Sequence, residues 1–218
     1  MAVRYIYSMR RQYPSSPGYI DYLKSIGCVL YLPLGENDYH DYIGGHDLQW
    51  TGNGGAAWDV NIGMTYIYSP SSFATMATLQ SDTINAQAFA SDECTSVVTF
   101  KRRTTTNGKY PDWFCMGSNS MNLIPDPIYN GTSNMGVWGN DIHNSGMTFS
   151  ISGRTWFQDG TIYRTDSTNT QRPSYWSSYN WYIACVGNNG RGISCYFKDI
   201  MIFNRILTLD EYRKINGY

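Results

Sequence analysis

Residues 198–216, KDIMIFNRILTLDEYRKIN, leave the chain little freedom at its C-terminal end. Ile200 and Ile202 alternate with Met201 and Phe203, and because all four are apolar the pattern is that of a strand buried on both faces. Asn204-Arg205 bends the chain, and around that bend Leu207 is grouped with Ile200 and Ile202, and Ile206 with Met201 and Phe203, a shift of one residue in the alternation. Thr208 then reads as an N-cap with Glu211 three residues on, a capping box in which the hydroxyl serves the N3 amide and the carboxylate reaches back. Leu209, Tyr212 and Ile215 form one helical face, Arg213 and Lys214 occupy the last turn, and Gly217 stops the helix.

The rest of the chain reads as many short strands. Of its 17 carboxylates only Glu36, Glu93 and Glu211 are Glu, the remainder being Asp. Asp, Asn, Gly and Ser favour turns whereas Glu and Lys favour helices, so this imbalance points to many strands joined by many turns. The 19 Tyr and 7 Trp agree, since aromatic rings fit a half-buried pleated surface and their polar tips tolerate water. Candidate strands cover residues 28–34, 47–51, 63–68, 95–101, 113–117, 136–138, 146–152, 156–158, 161–164, 181–187 and 192–203. Gly44-Gly45, Asn53-Gly54-Gly55, Asn107-Gly108, Asn130-Gly131, Asp159-Gly160 and Asn189-Gly190 punctuate them, and Asp159-Gly160 fits a two-residue type I′ hairpin. A helical turn over 19–25 precedes the first strand, and no helix-length periodic segment interrupts the series. The pattern predicts an all-β fold, two antiparallel sheets packed face to face with a short C-terminal helix. At 218 residues one such domain, 20–218, is expected, preceded by an N-terminal arm, 1–19, that carries Arg4, Arg10 and Arg11.

Composition removes several function classes. Hydrophobic residues make up 42%, enough for a core. A net charge of −1, with 16 Lys and Arg in no dense run, lacks the electrostatic footprint of a DNA or RNA binder, so no nucleic acid partner is expected. No run of 18 apolar residues occurs, so no membrane insertion is expected, and the N-terminus lacks the apolar centre of a secretory signal peptide. Cys28, Cys94, Cys115, Cys185 and Cys195 form no CxxC pair, which argues against a zinc ribbon or redox motif; they read as small buried hydrophobes. Cys185 and Cys195 flank the turn at 187–192 and are the candidate bridge, facing each other across a hairpin, if the compartment is oxidising. His40, His46 and His143 fall in turn-rich segments without a nucleophile elbow nearby, so Ser or Cys hydrolysis is not expected.

The closing unit resembles the last strand and capping helix of laminin-G-like, concanavalin-A-like jelly-roll domains. Cys28-Val-Leu-Tyr-Leu-Pro-Leu34 looks like the first core strand of that family, and Asp41-Tyr-Ile-Gly-Gly-His-Asp-Leu48 resembles the turn that follows it. Gln158-Asp-Gly160 is similar to its hairpin, and residues 183–197 are similar to its penultimate run, although Cys195-Tyr-Phe-Lys198 departs from the usual Gly. The resemblance spans residues 27–216 and implies a concanavalin-A-like jelly-roll sandwich. Glucanases of this fold carry E-x-D-x-E on one strand, where period two aims all three carboxylates into a cleft. This sequence has no such triplet, and Glu36-x-Asp38 sits in a loop, so no catalytic residue is expected and the chain reads as a non-enzyme. Relatives often hold calcium in rim loops, which makes Asp38, Asp41 and Asp47 candidate ligands and calcium the candidate cofactor. Asp41 is also readable as an Asx-turn ahead of Gly44-Gly45.

Sugar recognition needs aromatic faces for the apolar side of a pyranose, flanked by polar groups that meet its hydroxyls. Four stretches combine the two, and they nominate Tyr110, Trp113, Trp138, Asp141, Arg154, Trp156, Tyr175 and Trp176 as ligand-binding residues. Trp58, Trp138, Trp156 and Trp181 stand at strand positions and are also readable as core. The sequence therefore reads as a lectin-like recognition domain whose partner is a glycan or another surface polymer. A structural part of a larger protein assembly, such as a phage tail or surface appendage, is the alternative, and a glycan-active hydrolase or lyase ranks third. An extracellular or virion-associated place is expected over a cytoplasmic one.

Overall fold

The computed structural model describes residues 16–45, 48–50, 55–68, 77–79, 92–102, 142–167, 181–183, 185–186, 191–192 and 195–218. Helix α1, Pro17–Ser25, opens with proline in its first turn, where a missing N–H costs nothing, and buries Tyr19, Ile20 and Leu23. It starts two residues before the expected turn, inside the stretch read as an arm, and carries Tyr19 into the core. Thirteen strands follow among the described residues: β1 Cys28–Leu32, β2 Leu48–Trp50, β3 Gly55–Asp59, β4 Met64–Tyr68, β5 Ala77–Leu79, β6 Cys94–Arg102, β7 Ile142–Ser150, β8 Gly153–Gln158, β9 Thr161–Asp166, β10 Trp181–Ile183, β11 Cys185–Val186, β12 Arg191–Gly192 and β13 Cys195–Phe203. Helix α2, Leu209–Asn216, closes the chain.

Strand β13 is the spine. One of its edges pairs with β6 along its whole length, while the other takes β4 at Cys195–Phe197 and β1 at residues 200–203. The resulting antiparallel sheet runs β3-β4-β13-β6-β7-β8-β9, with β1 on β13; β10-β5-β2 and β11-β12 form two smaller sheets. The bulge between Phe197 and Asp199 makes Lys198 an extra residue opposite β6 and resets the alternation. Phe197 and Phe100 are therefore opposed on one face, and Tyr196 and Lys101 on the other.

Both faces of the central strands are buried. On one face Tyr31, Val97, Phe157, Met201 and Phe203 form a single cluster with Tyr19 and Leu23 of α1 and Tyr212 and Ile215 of α2. Phe157 stacks on Tyr212 at 4.8 Å between centroids, and Tyr19 meets Tyr31 edge-on at 5.7 Å. Gly146 makes the close approach possible, since a Cβ there would lie 3.1 Å from the Tyr212 ring. The alternate residues, Leu30, Leu32, Val98, Met147, Phe149, Ile200 and Ile202, are equally buried on the opposite face. With the helices on one side, that second apolar layer is the inner face of a sandwich.

The α2 boundaries follow the expected chemistry. The Glu211 amide donates to Thr208 Oγ1 at 3.2 Å, and the Thr208 amide donates to Glu211 Oε2 at 2.9 Å. Gly217 takes the left-handed conformation as the C-cap. Arg205 joins the end of α1 to the start of α2, its Nε donating to the Ile26 carbonyl at 2.8 Å and its guanidinium pairing with Glu211.

Several expectations are corrected. Leu207 buries with Met201 and Phe203, not with Ile200 and Ile202: the expected one-residue shift at Asn204-Arg205 is not made, and the Leu207 amide donates to Thr95 Oγ1 at 3.0 Å. Strand β7 begins at Ile142, four residues early, and puts His143 on a strand, since pairing with Phe100 and Lys101 imposes extension on a polar segment. Strands β3 and β5 were not expected; β3 is Gly-Ala-Ala-Trp-Asp, with no β-branched residue to announce it. The register sets Gly192, not Cys195, opposite Cys185, while Cys195 pairs with Ile67 and Arg102. Trp58 is 39% exposed rather than core. Cys28 and Cys94 are free and buried, and burial pushes both thiols well up from their ordinary range. The strands expected at 113–117 and 136–138 lie outside the described residues. Among the described residues no helix is long and apolar enough to cross a membrane.

Candidate functional site

The β8–β9 hairpin carries the two predicted ligand residues that the structure describes. Arg154 and Trp156 are two apart on β8 and share a face; across the ladders Arg154 lies between Phe149 and Asp166, and Trp156 between Met147 and Arg164. Each aromatic ring is covered by a guanidinium, Arg154 at 5.2 Å above Phe149 and Arg164 at 5.1 Å above Trp156. Such contacts contribute about 0.5–1 kcal/mol at exposed sites. Arg164 also stands 3.8 Å from Asp166. Burial draws the Arg154 guanidinium below its usual value, and the Asp166 charge opposes that. The face of Trp156 toward Arg164 is thus taken, and the strip presents the exposed Arg164 guanidinium rather than a bare ring, while Arg154 Nε is buried.

The hairpin turn has the expected geometry. Asp159 and Gly160 have φ of 45° and 82°, the two positive values that a type I′ turn requires. The Asp159 carboxylate accepts from the Asn144 amide at 2.8 Å and pairs with His143 Nδ1 at 2.8 Å. Arg213 Nε donates to the Gly160 carbonyl at 2.7 Å, and the Tyr218 ring lies against Gly160. His143 therefore helps to anchor the hairpin turn to β7, while Arg213 and Tyr218 anchor it to the C-terminal end of α2.

In the loop after β1, Asp41 is buried and its carboxylate accepts backbone N–H groups from Tyr31 at 2.9 Å, Ile43 at 3.1 Å and Gly44 at 3.1 Å. Asp38 accepts from the His40 amide at 2.9 Å and the Tyr42 hydroxyl at 2.5 Å. The Asp41 geometry is that of an Asx-turn, its oxygens facing amides that a cation would have to displace. Asp47 lies outside the described residues, and among those described no three His, Cys, Asp or Glu side chains gather as a metal site.

Tyr110, Trp113, Trp138, Asp141, Tyr175 and Trp176 lie outside the described residues. Tyr66 and Tyr196, which sequence reasoning did not single out, form a half-buried aromatic pair with centroids 4.9 Å apart and planes at 40°. They are 130 residues apart in the chain, and nothing in local sequence announces a pairing made by strand register.

No family model matches the sequence, and no curated protein matches it. Solved structures do. One, of botulinum neurotoxin type C, is described through cell entry that depends on interaction with two ganglioside molecules; it is 12% identical, with a TM-score of 0.60 over 89% of this chain and 52% of that one. Domain 4 of AbnA, a GH43 extracellular arabinanase from Geobacillus stearothermophilus in complex with arabinotriose, is 12% identical, with a TM-score of 0.58 over 87% of this chain and 98% of that one. Trypanosoma rangeli sialidase is 16% identical, with a TM-score of 0.59 over 87% of this chain and 32% of that one. The chain thus spans about half the length of the neurotoxin chain and a third of the sialidase. At these identities the likeness concerns the fold, which is an all-β, two-sheet antiparallel jelly-roll sandwich with a short C-terminal helix.

Proposed function

We propose that this chain is a non-catalytic recognition domain that binds a carbohydrate or another surface polymer. The observation that carries this reading is the fold likeness over most of the chain to about half of a neurotoxin chain whose cell entry depends on gangliosides, and to an arabinanase domain in complex with arabinotriose. The guanidinium-over-aromatic strip of Arg154, Trp156 and Arg164 supports it, because N–H donors held in place over rings suit hydroxyl or carboxylate acceptors. Tyr110, Trp113, Trp138, Asp141, Tyr175 and Trp176 are the further proposed ligand contacts. A glycan array and a thermal-shift panel of polysaccharides test the proposal: the expected result is a raised melting temperature with at least one glycan and no release of reducing sugar. Sugar release overturns the non-catalytic part, and no binding to any polymer overturns the whole.

Docking within a larger protein assembly is the second reading. It is favoured by β9, the terminal strand of the sheet among the described residues, on which Ile162 and Tyr163 are 52% and 44% exposed. Self-assembly or a copurifying partner, seen by light scattering on the purified chain in the absence of any glycan response, selects it.

A further inference from the structure

Five residues from five strands form one row across the sheet. Ala57 of β3 lies opposite Tyr66 of β4, Tyr66 opposite Tyr196 of β13, Tyr196 opposite Lys101 of β6, and Lys101 opposite Ile142 of β7. Directly opposed residues share a face. This is the face that α2 covers elsewhere, since Lys101 and Ile142 each stand four residues along regular strands from Val97 and Gly146, which lie beneath the helix. Beyond the helix the row meets water: Ala57 and Ile142 are exposed, and Tyr66, Tyr196 and Lys101 are partly so. Tyr196 belongs to it only because of the bulge at Lys198. Regular alternation from Asp199 would turn Tyr196 inward and leave Phe197, which is fully buried, on the outer face.

We infer that this row is a binding platform for an acid-bearing sugar, an inference that rests on the glycan-recognition reading and names a surface for it. The paired tyrosine rings at the centre offer apolar faces to the C–H side of a sugar ring and hydroxyls at their tips. Ala57 keeps the flank of Tyr66 low on β3, the terminal strand of the sheet among the described residues, so it does not block a chain of sugars there. Lys101 adjoins Tyr196 and is the only charged member of the row. Its ammonium is a compact point charge, complementary to a carboxylate or sulfate on a ring stacked beside it. The row is separate from the Arg154–Trp156 strip, whose residues occupy the opposite face near the other end of the sheet.

An array that prints the same sugar backbones in neutral and acid-bearing forms, read with the full chain and with Tyr66→Ala, Tyr196→Ala and Lys101→Gln, tests the platform. The unaltered chain is expected to prefer acid-bearing forms, with a preference that weakens as salt is added. Lys101→Gln is expected to lose that preference, about tenfold, together with its salt dependence, while neutral binding stays. Each Tyr→Ala change is expected to weaken both forms about tenfold. Thermal melting accompanies every variant, and Tyr196→Phe, which keeps the ring, is expected to retain binding and so separates lost contact from lost folding. Acid preference that survives Lys101→Gln overturns the acid-bearing assignment. Binding unchanged by all of these substitutions overturns the platform and leaves recognition standing; a chain that binds no glycan in either form overturns recognition itself, and the platform with it.

Discussion

Strands β6, β7 and β13 run from one environment into another on a single face of the sheet. At one end Val97, Gly146 and Met201 lie under α1 and α2 in a sealed cluster; at the other, Lys101, Ile142 and Tyr196 face water. Composition alone does not separate the two ends, since both contain tyrosine and aliphatic side chains. The sealed end has a helix amphipathic enough to cover it and a glycine that lets Tyr212 descend. Among the described residues no helix covers the open end, and a bulge has turned a tyrosine outward there. A sheet face is thus core or surface according to what packs on it, and register decides which side chains meet that fate.

The largest expected effect breaks the sealed end. Tyr212→Ala removes the ring that stacks on Phe157 and the hydroxyl that donates to the Asn144 carbonyl at 2.8 Å, and is expected to cost about 3–5 kcal/mol in denaturant unfolding. Gly146→Val forces branched carbon into the Tyr212 ring and backbone of β6, and a loss of about 1–3 kcal/mol is expected by the same measurement. Thr208→Ala removes the cap of α2 without touching either surface, and a fall of about 1 kcal/mol is expected with glycan binding unchanged. At the open end, Lys101→Gln is expected to change stability by less than about 0.5 kcal/mol, because a partly exposed lysine away from a cap or core contributes little. A large melting shift in that variant, or a small one in Tyr212→Ala, erases the distinction between the two ends.

A pH titration sharpens the same comparison through the latch at the start of α2. Burial pushes Glu211 up, but the hydrogen bond from Arg205 and those from Thr208 outweigh it, so the carboxyl lies below its ordinary value. A depressed folded-state value means stability that is present above the unfolded value and lost as pH falls through the folded one. Thermal melts are expected to decline as pH drops below about 4.3, the ordinary glutamate value, and Glu211→Gln is expected to lack that part of the decline. An identical slope in both proteins removes Glu211 from the account.

Legibility followed the range of the interactions. Thr208, Glu211 and Gly217 could be assigned from sequence because a cap is made between residues three or four apart, and the Asp159-Gly160 turn because two adjacent residues determine it. Asp41 was readable as a turn residue for the same reason. Strand β3 was not legible, since its alanines and glycine become a strand only through pairing with β4. The start of β7 depended likewise on β6, and Leu207 lies with Met201 and Phe203 because the one-residue shift expected at Asn204-Arg205 is not made. Arg154 and Trp156 were recognised by type, yet their engagement with Phe149 and Arg164 follows from cross-strand neighbours. Tyr66 and Tyr196 carried no local signal at all.

The sequence by itself determined the strand-rich class, the boundaries and caps of the closing helix, and the I′ hairpin, because hydrophobic period and short-range hydrogen bonding are written in neighbouring residues. Only the tertiary structure decided which aromatic rings are core and which meet water. That outcome depends on the register of strands far apart in the chain and on one extra residue, Lys198, whose bulge turns every side chain before it to the other face.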